Sequence, residues 1–222
     1  METEEQRQKM REERREAIVA AARRVFSEKG PHGATMDEIA RTAKVSKGAL
    51  YLHFESKEEL LLAVQLETLE RQVADLRAAA RIGNTGLERT ARLCVALARS
   101  ALADLPSFQI GIGSLFSGSQ LPQRGARADR YRELMAEQFQ LIATAVTDGK
   151  RDGSIVTDVA VTQLVVHLWA GLIGVIGVHA HGAELLTRFP EELRSSANLG
   201  EEGLEVLFDF EHLVVAFTHS LL

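Results

Sequence analysis

Thr35, Lys44, Ser46, Lys47, Gly48, Ala49, Tyr51, His53 and Lys57 bring cations, hydroxyls and two very small residues into one short stretch. Such a set is poorly suited to breaking bonds. Cations and hydroxyls grip phosphate oxygens, and small residues let a backbone come close to a flat surface such as the edges of base pairs. The rest of the chain offers little for catalysis, because the seven histidines are scattered and no Ser/His/Asp or Cys/His arrangement, carboxylate pair or nucleotide fingerprint stands out. His167, His179 and His181 fit no strong zinc spacing, so no catalytic residue, no metal and no cofactor is expected and the chain does not read as an enzyme.

The elements that must hold these side chains are legible around them. Thr35 with Glu38 forms a capping box, and Met36, Ile39, Ala40 and Ala43 then recur at helical spacing. Lys44 and Val45 make a turn, and Ser46 caps a second helix from Lys47 to His53 or Phe54. Ser56 with Glu59 opens a third helix, whose apolar run begins at Leu60, Leu61, Ala63 and Val64. Two short helices across a tight turn make a helix-turn-helix, whose second helix can enter the major groove of DNA N-terminus first. Gly48 and Ala49 then fall in the first turn of that helix, with Lys47 beside them. Tyr51, His53 and Lys57 lie within reach of flanking phosphates, and the helix N-termini near Thr35 and Ser56 favour anions. Ile39, Ala43, Val45, Leu50 and Phe54 remain for a small core.

The run GPHGATMDEIARTAKVSKGALYLHFESKEELLLAV resembles the DNA-binding signature of the tetracycline-repressor (TetR) family, over about the first 65 residues. Two departures are visible. Lys44 stands where the family often has Gly, which leaves strain in the turn or an added phosphate contact as its readings, and Pro31 and His32 lie between the glycines before the motif. The resemblance implies a dimeric, all-helical regulator whose C-terminal domain binds a ligand and whose DNA is released when that ligand is present.

Composition agrees with a soluble globular chain: 222 residues, 45% hydrophobic, mean hydropathy -0.05. The single cysteine, Cys94, excludes an intramolecular disulfide and suits a reducing cytoplasm; it reads as a small buried hydrophobe rather than a redox sensor. The first 16 residues are charged with no apolar core, so no signal peptide is expected. Net charge is -5, yet residues 7 to 57 carry 12 Lys/Arg against 7 Asp/Glu. That asymmetry suits a DNA reader with one face on phosphate; by charge alone it equally suits a solvated surface.

Along the chain, residues 1 to 12 read as a charged tail, a frayed helix or disordered, and Arg7, Arg11, Arg14 and Arg15 lie within reach of DNA backbone. Residues 13 to 60 form the DNA-binding domain, opened by a helix with Ile18, Ala21, Ala22, Val25 and Phe26 on one face and a stop at Gly30. Residues 61 to 222 form a helical effector-binding and dimerisation domain. The helix opened by Ser56 runs to about Ala80 and so joins the two parts. GNTG at 83 to 86 breaks the chain, and a helix over Leu87 to Ala101 ends before Pro106. One or two short helices are possible between Pro106 and Gly125, and a long helix from Tyr131 ends at Asp148 and Gly149. Residues 159 to 180 are the most apolar, but Thr162, Gln163, His167 and His179 interrupt them and no membrane insertion is expected. No alternating strand pattern occurs, so the fold class is all-α.

Gly171, Gly174 and Gly177 strip one side of that apolar helix, letting another helix approach. With the final amphipathic segment, including Leu207 and Val214, they point to a homodimer interface over packing within the chain, because a two-fold DNA reader needs one. The TetR resemblance places its dimer contact in the same two helices. Phe108, Phe116, Met135, Phe139, His167 and Trp169 lie on helices suited to surround a cavity for a lipophilic or aromatic effector, although each also reads as plain core. The expectation is a cytoplasmic, dimeric repressor of a palindromic double-stranded DNA operator. The alternative is a helical protein-interaction module that has lost DNA binding.

Overall fold

A computed structural model describes residues 3–116 and 121–187 together with Val215, Thr218 and His219. Among these residues all regular structure is helical, in eight long or short helices: α1 (Glu4–Gly33), α2 (Met36–Thr42), α3 (Lys47–Tyr51), α4 (Lys57–Ala79), α5 (Gly86–Ala103), α6 (Leu105–Phe116), α7 (Ala126–Asp152) and α8 (Val161–Thr187). The chain divides into two compact units, Met1–Glu70 with Asp104–Met135, and Arg71–Ala103 with Ala136–Leu222.

In the first unit, α1, α2, α3, the start of α4 and α6 share one core. Ile18, Ala22, Phe26, Ile39, Leu50, Phe54, Leu60 and Val64 are almost wholly buried there, with Ile110 of α6 against them. Each large side chain of this kind stabilises the fold by roughly 1.5–3 kcal/mol. Ala43 and Val45 pack on this core only partly buried, as short side chains beside the turn. The opening residues are not a loose tail. Thr3 accepts from the Gln6 amide (3.3 Å) while Gln6 Oε1 accepts from the Thr3 amide (2.8 Å), and Arg15 pairs with Glu12 at 2.8 Å one turn away. Capping and local ion pairs thus carry a helix that has no apolar stripe to announce it. Gly30 (φ +69°) breaks α1 where expected, and the short turn containing Pro31 leads to Ala34.

In the second unit, one expectation needs correcting. The long helix α7 does not stop at Gly149 but continues to Asp152 and turns at Gly153 (φ +77°). Gly149 is there for close approach: a Cβ on it would fall 2.5 Å from Ile155 Cδ1, and one on Gly86 would fall 1.9 Å from the Gly149 nitrogen. The same junction caps α5, because the Gly86 amide donates to Asp152 Oδ2 (2.7 Å) and the Leu87 amide to Ser154 Oγ (3.1 Å). Hydrogen bonds from the Ser154 hydroxyl, which contributes most, and from the Gly86 and Ser154 amides hold the Asp152 carboxyl below its ordinary range. Cys94 is wholly buried on α5, and burial pushes its thiol up to about 11 while a bond with Thr218 acts the other way.

Helix α8 holds a 20-residue stretch, Val161–Ala180, of mean hydropathy 1.9, long and apolar enough for a bilayer. Its buried residues, Leu164, Val165, Leu168, Leu172 and Ile176, form one stripe at helical spacing, and α8 packs on α5. Gln163 and His167 are exposed on the other side, which is the pattern of a core helix.

Candidate nucleic-acid interface

The turn between α2 and α3 is built entirely from local chemistry. The Glu38 amide donates to Thr35 Oγ1 (3.3 Å), and Glu38 Oε2 accepts from the Thr35 amide (3.3 Å), closing the expected capping box. Lys29 pairs with the same carboxylate and lowers its pKa, which fixes the start of α2 against the end of α1. Lys44 carries the turn at φ +56°, and it is the one non-glycine among the described residues with a positive φ. The Val45 amide returns to the Ala40 carbonyl (3.0 Å), and Ser46 Oγ accepts from the Ala49 amide (3.1 Å) to start α3. The Ser56 cap differs in one detail from the simple box: its hydroxyl accepts from the Glu59 amide, but the Glu59 carboxylate reaches the Glu55 amide, one residue further back.

The first turn of α3 faces outward. Lys47 and Gly48 are exposed, and Ala49 is half-buried. A Cβ on Gly48 would meet nothing within 4 Å, and its φ is not positive. No contact or backbone demand within the described chain therefore calls for glycine; the open space lies outside the molecule, where a base-pair edge would come. Lys47 pairs with Asp37 at 2.7 Å, which raises its pKa and parks the ammonium beside α2. Both partners are exposed, so the pair is weak enough to exchange for phosphate.

Tyr51 is 44% exposed at the end of α3. His53 follows half-buried, its pKa lowered by burial and then by Arg11, Arg14 and Arg15. Lys57 has a second duty the spacing did not reveal: its ammonium donates to the carbonyls of His32 (3.3 Å) and Ala34 (3.1 Å), tying α4 to the α1–α2 link. Thr35 similarly spends its hydroxyl on the capping box. Thr35, Lys44, Ser46, Lys47, Gly48, Ala49 and Tyr51 thus converge on one short supersecondary element, with Asp37 added as the partner of Lys47. Asp37 was hidden because its role depends on α2 and α3 lying side by side.

The residues expected to line an effector cavity are less concentrated. Phe108 and Met135 are half-buried in the first unit. In the second, the Phe139 and Trp169 rings meet at 6.4 Å between centroids, tilted by 47°, while His167 is exposed. Beside Phe139 the amide oxygen of Gln138 is buried and has no partner among the described residues. The side chain of Phe116, with Leu207 and Val214, lies outside the described residues. Gly171, Gly174 and Gly177 lie on α8, and a Cβ on Gly174 or Gly177 would meet nothing within 4 Å.

Residues 18–64 match the family model for bacterial regulatory proteins of the tetR family. The transcriptional activator FasR of Mycolicibacterium smegmatis is 46% identical over 79 residues, which are 36% of this chain and 36% of FasR. The alignment therefore spans about a third of that relative's length. Among solved structures, the TetR-family regulator PfmR from Thermus thermophilus has a TM-score of 0.66 at 22% identity, covering 92% of this chain and 96% of PfmR. The regulator FadR of Bacillus subtilis, solved in complex with stearoyl-CoA, has a TM-score of 0.62 at 17% identity, covering 93% and 98%. These structural likenesses extend over both units and establish a shared fold.

Proposed function

We propose, given that residues 18–64 are a TetR-family DNA-binding domain and the described chain has the fold of that family, that this protein is a ligand-responsive transcription regulator. The observation that carries the reading is the exposed, unobstructed first turn of α3 at Gly48. In this reading α3 enters the major groove, Gly48 and Ala49 let it approach the bases, and Lys44, Lys47 and Tyr51 hold phosphates on either side. The protein acts in the cytoplasm as a homodimer on a palindromic operator, whose half-sites lie about one DNA turn, roughly 34 Å, apart. The open side of α8 at Gly174 and Gly177 supports a helix-to-helix dimer contact, since nothing within the described chain fills it.

The effector is a lipophilic molecule, and an acyl thioester is the class favoured by the stearoyl-CoA complex of the FadR neighbour. Phe139 and Trp169 supply apolar walls, and the unpartnered oxygen of Gln138 supplies a hydrogen-bond acceptor. Helix α4 starts directly after α3 and ends in the second unit, so a ligand that prefers one position of α4 biases the separation of the two recognition helices. Release requires the effector to bind the released arrangement more tightly than the DNA-bound one; tight binding alone shifts nothing. The regulator is a repressor in this scheme.

Selection of bound sequences from random duplex DNA by the purified full chain tests the proposal. A two-fold symmetric motif is the expected result, and titration of that duplex with long-chain acyl-CoA should lower its affinity. Binding without any motif would overturn the operator reading, and an affinity unchanged at saturating acyl-CoA would overturn the effector class.

A further inference from the structure

Helix α1 runs well past the core that anchors it. Its residues before Glu16 are exposed or half-buried, whereas Ile18 and Val19 are buried, so about three turns, roughly 20 Å at 1.5 Å per residue, project beyond the packed domain. The stripe that makes the core, Ile18, Ala22 and Val25, continues upward at the same helical spacing as Arg14, Arg11 and Arg7. One face of a single helix therefore changes from apolar to cationic at the level where the other helices end.

That cationic face is not an isolated charged surface. Arg7, Met10, Arg11 and Arg14 line an open groove of about 430 Å³ whose other wall is Leu52 and His53, the residues that follow α3. Leu52 is 80% exposed and Met10 is 49% exposed, although both are large and apolar. Arg7 pairs with Glu4 at 3.5 Å on the exposed surface, and Arg11 and Arg14 have no ion pair or hydrogen bond among the described residues. After burial, Arg11, Arg14 and Arg15 act on His53 through space, which places their charge at the C-terminal end of the recognition helix. Three guanidinium groups around one groove repel each other and, with burial, disfavour a proton on His53, and an anionic occupant would relieve that repulsion.

We propose that this groove is a second DNA contact, in which Arg7, Arg11 and Arg14 hold the phosphodiester backbone immediately outside the operator half-site read by α3. The inference rests on the DNA-binding reading above and extends its footprint. Continuity decides the occupant: the groove begins where α3 ends, so the strand leaving the α3 contact is the anion nearest to it. The three arginines span about 10 Å of helix axis, enough to meet more than one phosphate of a strand whose charges recur every ~3.4 Å along the duplex. Leu52 and Met10 offer apolar surface to the sugars between those phosphates. The contact adds affinity and register without reading bases.

The test compares the full chain with its R11A/R14A and R11K/R14K variants on duplexes that share the selected operator but carry short or long flanks. Wild-type protein should bind the long-flank duplex at least about tenfold more tightly, because each phosphate neutralised adds a salt-dependent term. In R11A/R14A that gain should disappear, and the slope of log affinity against log salt should shrink by about two per protomer, while binding to the short duplex persists. R11K/R14K should recover most of the slope, as expected for phosphate contacts. Without DNA, the His53 titration followed by NMR should move upward in R11A/R14A, and the unfolding midpoint should stay put because both arginines are exposed. A flank gain and slope unchanged in R11A/R14A would overturn the groove while leaving the operator reading intact. Failure of the wild-type chain to select any site would remove both.

Discussion

Replacing Lys44 by glycine separates two effects that meet in one side chain. Lys44 sits at φ +56° in the turn between α2 and α3, where an L-residue with a Cβ is disfavoured by roughly 1–2 kcal/mol. Glycine removes that penalty but has more conformational freedom to lose on folding, which offsets about 0.5–1 kcal/mol. The net expectation for K44G is a gain of about 0.5–1 kcal/mol, or a rise in Tm of roughly 1–4 °C for a chain of this size. K44A is the control, since it removes the ammonium and keeps the Cβ. Urea unfolding should give a higher midpoint for K44G at unchanged slope, and a midpoint for K44A at or below wild type. Both variants should lose a phosphate contact, seen as a salt slope for DNA binding smaller by about one per protomer. If K44G is no more stable than K44A, the turn is not strained and the reasoning fails.

The remaining predictions concern the second unit. G86A should be strongly destabilising, by about 1–3 kcal/mol or more, because its new Cβ lands 1.9 Å from the Gly149 backbone; unfolding in urea measures it. Cys94, with its thiol pushed up to about 11, should react with a thiol reagent at pH 8 only after denaturant unfolds the chain. D152A should lower stability at neutral pH by removing the cap of α5. Because the folded-state pKa of Asp152 is depressed, that contribution is complete above the ordinary aspartate range and fades as pH falls through the lower folded value; the midpoints of D152A and wild type should converge in acid.

The parts of this fold that were legible are those whose causes lie within a few residues. Thr35 and Glu38, Ser46 and Ala49, and Ser56 and Glu59 satisfy amides three positions away, so type and spacing suffice to place α2, α3 and the start of α4. Gly30 and the span of α4 follow for the same reason. What failed depends on distant partners. Gly149 looks like a helix stop beside Asp148, yet its neighbour is Gly86, 63 positions earlier, and only that contact explains it. Lys57 reads as a free cation until the carbonyls of His32 and Ala34 lie beneath it. The extension of α1 was obscured because a helix held by capping and ion pairs leaves no hydrophobic period. Effector residues were the least legible: Phe108 and Trp169 are apolar whether they line a cavity or fill a core, and among the described residues only Phe139 with Trp169 is joined by a ring contact.

The central claim is that the first turn of α3 is kept small for DNA rather than for the protein, and G48L tests it most directly. A Cβ there meets nothing within 4 Å, Gly48 is exposed, and leucine is a better helix former than glycine by up to about 1 kcal/mol, so folding should be unchanged or slightly stronger. Binding of the selected operator, measured by fluorescence anisotropy, should fall by at least about tenfold, as the added bulk holds the helix away from base edges. An equally stable G48L that binds the operator as wild type does would contradict the account.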